Sequence, residues 1–284
     1  MTGIWASIRA STTGTRVRPP SSLTAAAPAR IADDAGADVL LVGDSVAMVV
    51  LGYEDTLQVN VADMAHHVGA VARARPRALI VADLPWLSYH VSTEDAVRNA
   101  AVLVRAGAAA VKLEGGRTRV PVVRALIDAQ IPVMGHVGLT PQSVHALGGY
   151  RVQGQQADAA HGLLDDAQAL AGAGCFAIVL ECVPREVARL VTREVPVPTI
   201  GIGAGPDCDG QVLVLHDLLG LEDRIAPKFV RRYGALKADA VAAVAAYAAD
   251  VRARAFPSDA ESYHLADDVA AALGVDQPAS SRTA

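Results

Sequence analysis

The sequence predicts an α/β protein: a barrel of eight parallel β/α units, the (β/α)8 TIM-barrel architecture, followed by an extra helical segment. Three observations carry this expectation. From residue 37 onward, short apolar runs rich in β-branched residues alternate with helix-like stretches. Such runs, continuous and bounded by turn signals, suit strands buried on both faces, and their alternation with helices means parallel β/α units. No internal repeat or long linker divides the chain. Finally, five consecutive runs end on or carry an ionisable residue, as they would if all opened onto one mouth.

In chain order, the strand candidates are 37–42, 78–82, 109–113, 131–134, 176–180, 197–200 and 212–215. Helix candidates with apolar residues at three-to-four spacing lie between them at 61–75, 93–106, 120–129 and 165–172. A helix at 29–36 ends at Gly36, a glycine C-cap. That leaves only 22–26 for the first of eight strands, an atypical and feeble stretch, so an open doubly wound sheet is the alternative. An Ala-rich helix is expected at 235–255, then an irregular segment at 256–264 and a short terminal helix. The expected division is a flexible tail at 1–21, one barrel domain with its C-terminal helices at 22–264, and a terminal helix and disordered tail at 265–284.

Composition narrows the classes. The chain has 284 residues, long enough to bury a large core without disulfides or a structural metal. It is 52% hydrophobic and 19% charged, which excludes a disordered chain or a coiled coil. A net charge of −5 with no basic stripe argues against nucleic acid and anionic membranes as partners. No apolar run approaches a membrane span. Cys175, Cys182 and Cys208 are odd in number and lack metal-like spacing, so a reducing cytosol is the expected compartment. The first 32 residues contain no acid and carry Arg9, Arg16, Arg18 and Arg30, a faint transit-peptide bias. A tail broken by Pro19 and Pro20 explains them more simply.

The chemistry lies at the strand ends. The first clear run stops at Gly43, Asp44 and Ser45, and the second at Asp83, Leu84 and Pro85. The third carries Lys112 and Glu114, which lie two apart and so point the same way. The fourth brings His136 and the fifth Glu181. One acid at a strand end is often only a helix cap; five successive strands ending in this way need a further reason. Ionised carboxylates behind apolar runs cost several kcal/mol each unless paired or metal-bound. Lys112 offsets only one of Asp44, Asp83, Glu114 and Glu181, so the set asks for a cation. All the donors are hard oxygens, which favours Mg²⁺ over zinc and suits a bidentate 2-oxo acid.

Weaker features stay open. The glycines at 201–205 follow a strand without dinucleotide or P-loop spacing, so tight loop geometry is the better account. His66 and His67 read as a solvated helix face, and His145 lies in a Gly-ended loop. His216 and Asp217 can line the mouth or cap the next helix. Cys182, without an activating histidine in the pattern, reads as a small core residue.

With these residues in view, the sequence resembles the ketopantoate hydroxymethyltransferase family. The resemblance rests on LVGDS (41–45), VADLPW (81–86), VKLEGG (111–116), GHVGLTPQS (135–143), GGYRVQG (148–154), LECVP (180–184), GIGAG (201–205), DGQVLV (209–214) and PKF (227–229). FPSD (256–259) and SYH (262–264) resemble the family's C-terminal signature, so the match runs from residue 29 to 264. The resemblance implies a Mg²⁺-dependent (β/α)8 barrel in the cytoplasm that uses 5,10-methylenetetrahydrofolate as one-carbon donor in pantothenate biosynthesis. It also implies a homodecamer of two stacked pentamers. By position, Asp44 and Asp83 match the metal ligands, and Glu114 completes the metal's surroundings. Ser45 and Lys112 match groups that hold the 2-oxo acid, alongside Asp44 and Asp83; His136 lines the pocket, and Glu181 matches the general base. The reaction implied is hydroxymethyl transfer to 3-methyl-2-oxobutanoate through an enolate, giving 2-dehydropantoate.

The sequence departs from the family at residues 23–30, where the usual Tyr and Asp are missing, at Ala47, and at Gln58 and Asn60. Two alternatives therefore stand beside the transferase: a related Mg²⁺-dependent 2-oxo acid C–C lyase or mutase, and an inactive 2-oxo acid-binding paralogue.

Overall fold

The computed structural model describes residues 5–6, 26–222 and 227–275. Eight strands form one sheet: β1 (Trp5–Ala6), β2 (Val39–Val42), β3 (Leu79–Asp83), β4 (Ala110–Glu114), β5 (Val133–Gly138), β6 (Ala177–Glu181), β7 (Thr199–Ile202) and β8 (Gly210–Val212). Their order is β1-β8-β7-β6-β5-β4-β3-β2. β2 to β8 pair in parallel, each with its sequence neighbour, while the two-residue β1 lies antiparallel on the outer edge of β8. The protein is thus an α/β fold with seven parallel strands, and among the described residues no parallel strand joins β2 to β8. Residues 22–25 of the expected first strand lie outside the described residues, and Ala26 already opens the helix Ala26–Asp34.

Side-chain parity explains how the strands are used. Val39, Leu41, Val81, Ala110, Met134, Ala177, Val179, Ile200, Ile202 and Val212 form one buried cluster that runs from β2 to β8, as a curled sheet gives. The alternate residues, such as Leu40, Val42, Ile80, Ala82, Val111, Val133 and Ile178, pack into the layer shared with the helices. Both faces are dry, which is why the strands read as continuous apolar runs rather than alternating ones.

Local chemistry sets the helix ends. Val61–Arg73 begins with a capping box in which the Asn60 side chain accepts from Asp63 N and the Asp63 carboxylate accepts from Asn60 N. The unusual Asn60 is therefore a sound N-cap. Thr93–Ala106 starts at Ser92, whose hydroxyl accepts the Asp95 N–H, and stops at Gly107 in the left-handed region. Val120–Asp128 has proline in its first turn, where the lost N–H costs nothing.

Two sequence boundaries are corrected. The expected helix at 165–172 is the second half of Ala157–Ala173, whose Ala-rich start lacks a side-chain cap to announce it. The expected strand at 212–215 ends at Val212, and Leu215 opens the helix Leu215–Leu219. Its apolar run crosses a strand, a turn and a helix start, and periodicity alone does not locate such a switch.

The chain divides into two compact units, Met1–Gly234 and Ala235–Ala284. The second contains the helices Leu236–Ala253 and Asp267–Leu273, with Tyr247 edge-on to Phe256 at 5.3 Å. No described helix is long and apolar enough to cross a membrane.

Candidate active site

The parity that fills the sheet's interior with apolar side chains also builds the site. Continuing the inward-facing positions toward the strands' C-terminal ends gives Asp83 on β3, Lys112 and Glu114 on β4, His136 on β5 and Glu181 on β6. The lower layers are hydrocarbon; the top layer is ionisable. Register then makes the pairs. Asp83 lies opposite Lys112, and Glu114 opposite His136. Asp44 and Ser45 follow β2 directly, and all seven residues are at most 4% exposed.

The Lys112 ammonium lies 3.0 Å from Asp83 Oδ1. Asp83 Oδ2 accepts the Asp44 backbone N–H at 3.1 Å, which brings the two aspartates together. His136 sits between two acids, with Nδ1 3.4 Å from Glu114 Oε1 and Nε2 3.3 Å from Glu181 Oε2. The second contact is within ion-pair reach but is not aligned as a hydrogen bond. Lys112 Nζ lies 3.3 Å from the same Nδ1.

The charge state follows from this crowding. Burial, then Asp83 and Glu114, push Asp44 up to about 7 against the pull of Lys112. Burial likewise raises Asp83, with Lys112 opposing. Burial works against the Lys112 ammonium, yet Asp83, Glu114 and Asp44 outweigh it and hold Lys112 above the ordinary lysine value. Burial and Lys112 disfavour imidazolium at His136, but Glu114 and Glu181 prevail and lift it to about 9. Burial raises Glu114, and the contacts with His136 and Lys112 more than reverse that.

The sequence brought these residues forward; it gave no role to Tyr89 and Gln142. The Gln142 side-chain amide donates to Asp44 Oδ2 at 2.8 Å and to Leu84 O at 2.9 Å, while its backbone N–H donates to Glu114 Oε2 at 3.0 Å. Its carbonyl accepts the Tyr89 hydroxyl at 2.6 Å. Gln142 thus ties Asp44 to Glu114, with Tyr89 fixing which way the amide points. Neither residue is charged, and only the position of Gln142 just after a strand hinted at this.

The donor set fits a divalent cation. Three acidic side chains, Asp44, Asp83 and Glu114, share a buried site with the Lys112 ammonium and His136, and Asp44 is raised first by burial and then by Asp83 and Glu114. The Ser45 hydroxyl is buried without a hydrogen-bond partner among the described residues, and Asp83 Oδ1 meets the Lys112 ammonium. Among the described residues, no group of three or more His, Cys, Asp and Glu is arranged to hold a metal ion by itself; Mg²⁺ sites generally use one or two carboxylates and complete the shell with water and substrate. Glu181 Oε1 is also buried without a hydrogen-bond partner among the described residues.

Gly138 sets the backbone here. Its φ is +95°, and a Cβ would fall 2.2 Å from Glu181 O. Gly138→Ala is expected to cost about 2–4 kcal/mol, from left-handed strain and overpacking, and to displace Glu181. A lower urea midpoint at unchanged slope, with reduced kcat, is the readout.

Beside this cluster opens a cavity of about 580 Å³ lined in part by Tyr53, Leu139, Tyr150, Cys182, Asp217 and Phe229. Leu139 N donates to Glu181 O at 2.8 Å, and Cys182 follows Glu181, so cavity and cluster share a wall. Asp217 lines the cavity from within the helix Leu215–Leu219, whose N-cap, Val214, makes no side-chain hydrogen bond. Cys182, with its thiol pushed up to about 12 by burial and then by Glu181, is an inert wall residue.

The whole arrangement has relatives. Residues 12–259 match the ketopantoate hydroxymethyltransferase family. The 3-methyl-2-oxobutanoate hydroxymethyltransferase of Moorella thermoacetica is 57% identical over 245 residues, 86% of this chain and 88% of that protein. The enzyme of the same name from a Methylobacterium species is 57% identical over 252 residues, 87% of this chain and 86% of that one. Among solved structures, phosphonopyruvate hydrolase bound to oxalate and Mg²⁺ superposes with a TM-score of 0.54 at 15% identity, covering 89% of each chain. 2,3-Dimethylmalate lyase, a PEP mutase/isocitrate lyase superfamily member, gives 0.51 at 19% identity over 89% of this chain and 88% of that one. Those two likenesses show the fold alone; the family match and the 57% identities show that the chain belongs to the ketopantoate hydroxymethyltransferase family.

Proposed function

We propose that the chain transfers the one-carbon unit of 5,10-methylenetetrahydrofolate to 3-methyl-2-oxobutanoate, forming 2-dehydropantoate for pantothenate biosynthesis. Family membership supports the reaction, and one observation supports the site: a buried carboxylate with a free lone pair, Glu181 Oε1, lies across the sheet's mouth from a fixed cation, Lys112.

The proposed roles follow from position. Asp44 and Asp83 would hold Mg²⁺, with Glu114 at its margin directly or through water. When bound, the ion supplies Lewis-acid stabilisation of the negative charge that grows on the 2-oxo oxygen. Ser45 and Lys112 orient the 2-oxo acid, and Lys112 adds a cation that is already in place before charge develops. Glu181 accepts the C3 proton at Oε1. His136, between Glu114 and Glu181, holds the base at its post and lines the pocket. One water adds to the methylene carbon and both of its bonds to the folate nitrogens break, the two water protons passing to those nitrogens; C3 then bonds to that carbon, and its oxygen takes up the proton that Glu181 received. A closed (β/α)8 barrel, a decameric assembly and a cytoplasmic setting complete the reading; the family resemblance supports these.

With ¹³C-labelled methylenetetrahydrofolate, the label should appear in 2-dehydropantoate one-for-one with tetrahydrofolate. EDTA should abolish turnover, and added Mg²⁺ should restore it. Product formed without any folate donor would instead indicate a lyase or mutase.

A further inference from the structure

The cavity beside Glu181 has a chemistry of its own. Tyr53, Tyr150 and Phe229 give it aromatic walls, and Met48, Leu139 and Val214 add hydrocarbon. Among its described lining, the one buried carboxyl group is Asp217, 7% exposed. Arg151 and Lys228 line it alongside Glu54 and Glu222, all more exposed. At about 580 Å³ it is the size of a pocket for a small organic ligand. The cavity meets the carboxylate cluster through Leu139, whose N–H donates to Glu181 O at 2.8 Å, and Cys182, the residue after Glu181.

A buried carboxylate in an apolar, aromatic pocket selects a flat heterocycle that presents two adjacent N–H donors, because a bidentate charge-assisted pair satisfies both oxygens. The 2-amino-4-oxo edge of a pterin, its ring N–H beside its amino group, is such a donor pair. We infer that this cavity is the seat of the reduced pterin of the folate co-substrate, with Asp217 accepting its ring N–H and 2-amino group. The inference rests on the transfer reaction proposed above and names the residue that would recognise the donor. The aromatic walls shield the ring's faces, and the shared wall at Leu139 and Cys182 sets the one-carbon unit beside Glu181 and the substrate's C3. Burial and Glu222 push Asp217 up to about 6, against the pull of Arg232, so it is an acceptor at neutral pH whose charge a donor pair would relieve. Arg151 and Lys228 offer contacts to an anionic tail, but the neighbouring acids leave most of the affinity to the buried Asp217.

The test is tetrahydrofolate binding by titration calorimetry to the full chain, with Mg²⁺ and 3-methyl-2-oxobutanoate present. A dead-end complex is measured because this folate carries no one-carbon unit. Wild type should bind tetrahydrofolate at least tenfold tighter than an analogue whose 2-amino group is replaced by methyl. Asp217→Asn should weaken tetrahydrofolate at least tenfold and erase that discrimination, which a merely structural role would preserve; Asp217→Glu should keep part of it. Equal binding by Asp217→Asn and wild type, or no discrimination by wild type, overturns the assignment. C3 proton exchange of wild type in the same buffer separates the two readings. Exchange without tetrahydrofolate binding overturns the pocket alone, whereas absence of both overturns the transferase reading with it.

Discussion

Glu181→Gln is expected to lower kcat for hydroxymethyl transfer by about 10³–10⁴-fold while leaving the protein folded. The substitution keeps the side chain's shape and removes the lone pair that takes the C3 proton, and general-base catalysis is worth roughly 10²–10⁴-fold. The upper part of that range applies because Glu181, although its Oε2 faces His136, keeps Oε1 without a partner, while Asp44 is tied to Gln142, Asp83 to Lys112 and Glu114 to His136. KM for the 2-oxo acid should change little, since Ser45 and Lys112 are proposed to hold it. A variant within tenfold of wild type in kcat would remove Glu181 from the role of base. Thermal melting of both proteins checks that the loss is chemical.

The second large effect is on the fold as well as the reaction. Lys112→Met is expected to cost about 3–5 kcal/mol in the metal-free protein, because removing one partner of a buried pair leaves the other charge uncompensated. Asp83 loses the ammonium 3.0 Å away, and Asp44 and Glu114 lose the cation that moderates them. The double variant Asp83→Asn with Lys112→Met should regain part of that stability, since the stranded acid is gone, yet remain inactive. Urea midpoints for the two singles and the double form the cycle that reads the coupling. Additive costs would mean that the pair is not coupled in the folded protein.

How far the sequence disclosed this site can be followed residue by residue. Asp44, Asp83, Glu114 and Glu181 stood out because each interrupts or ends an apolar run, where an ionised group is expensive without a reason. Lys112 and Glu114 stood out as a pair because a two-residue step on a strand returns to the same face. The opposition of Asp83 to Lys112 and of Glu114 to His136 was not legible, since it depends on sheet register, a property of strand pairs. Tyr89 and Gln142 escaped because neutral side chains in a loop carry no charge signal, although Gln142 holds two of the acids in place. Asp217 was left open because one acid after a strand is as good a helix cap as a pocket wall; burial beside Phe229 and Tyr150 favours the wall.

The fold followed the same rule. Thr93–Ala106 matches its expected bounds because Ser92 and Gly107 announce both ends. The seventh parallel strand was shifted because Val212, Leu213, Val214 and Leu215 are all apolar while the backbone changes from strand to helix beneath them. Of the expected first strand at 22–26, residues 22–25 lie outside those described and Ala26 opens a helix, so the curl of β2 to β8 is seen directly.

The proposed chemistry is enolisation of a 2-oxo acid by the ionisable layer above the sheet's apolar interior, with Glu181 as base. The most direct measurement is loss of the C3 proton signal of 3-methyl-2-oxobutanoate in D₂O by NMR, with Mg²⁺, in the absence and presence of tetrahydrofolate. Wild type should exchange the C3 proton under at least one of these conditions, and Glu181→Gln should be at least 10²-fold slower under the same one. A folded wild-type protein that exchanges nothing even with tetrahydrofolate, or a Gln variant that exchanges as fast as wild type, would contradict it.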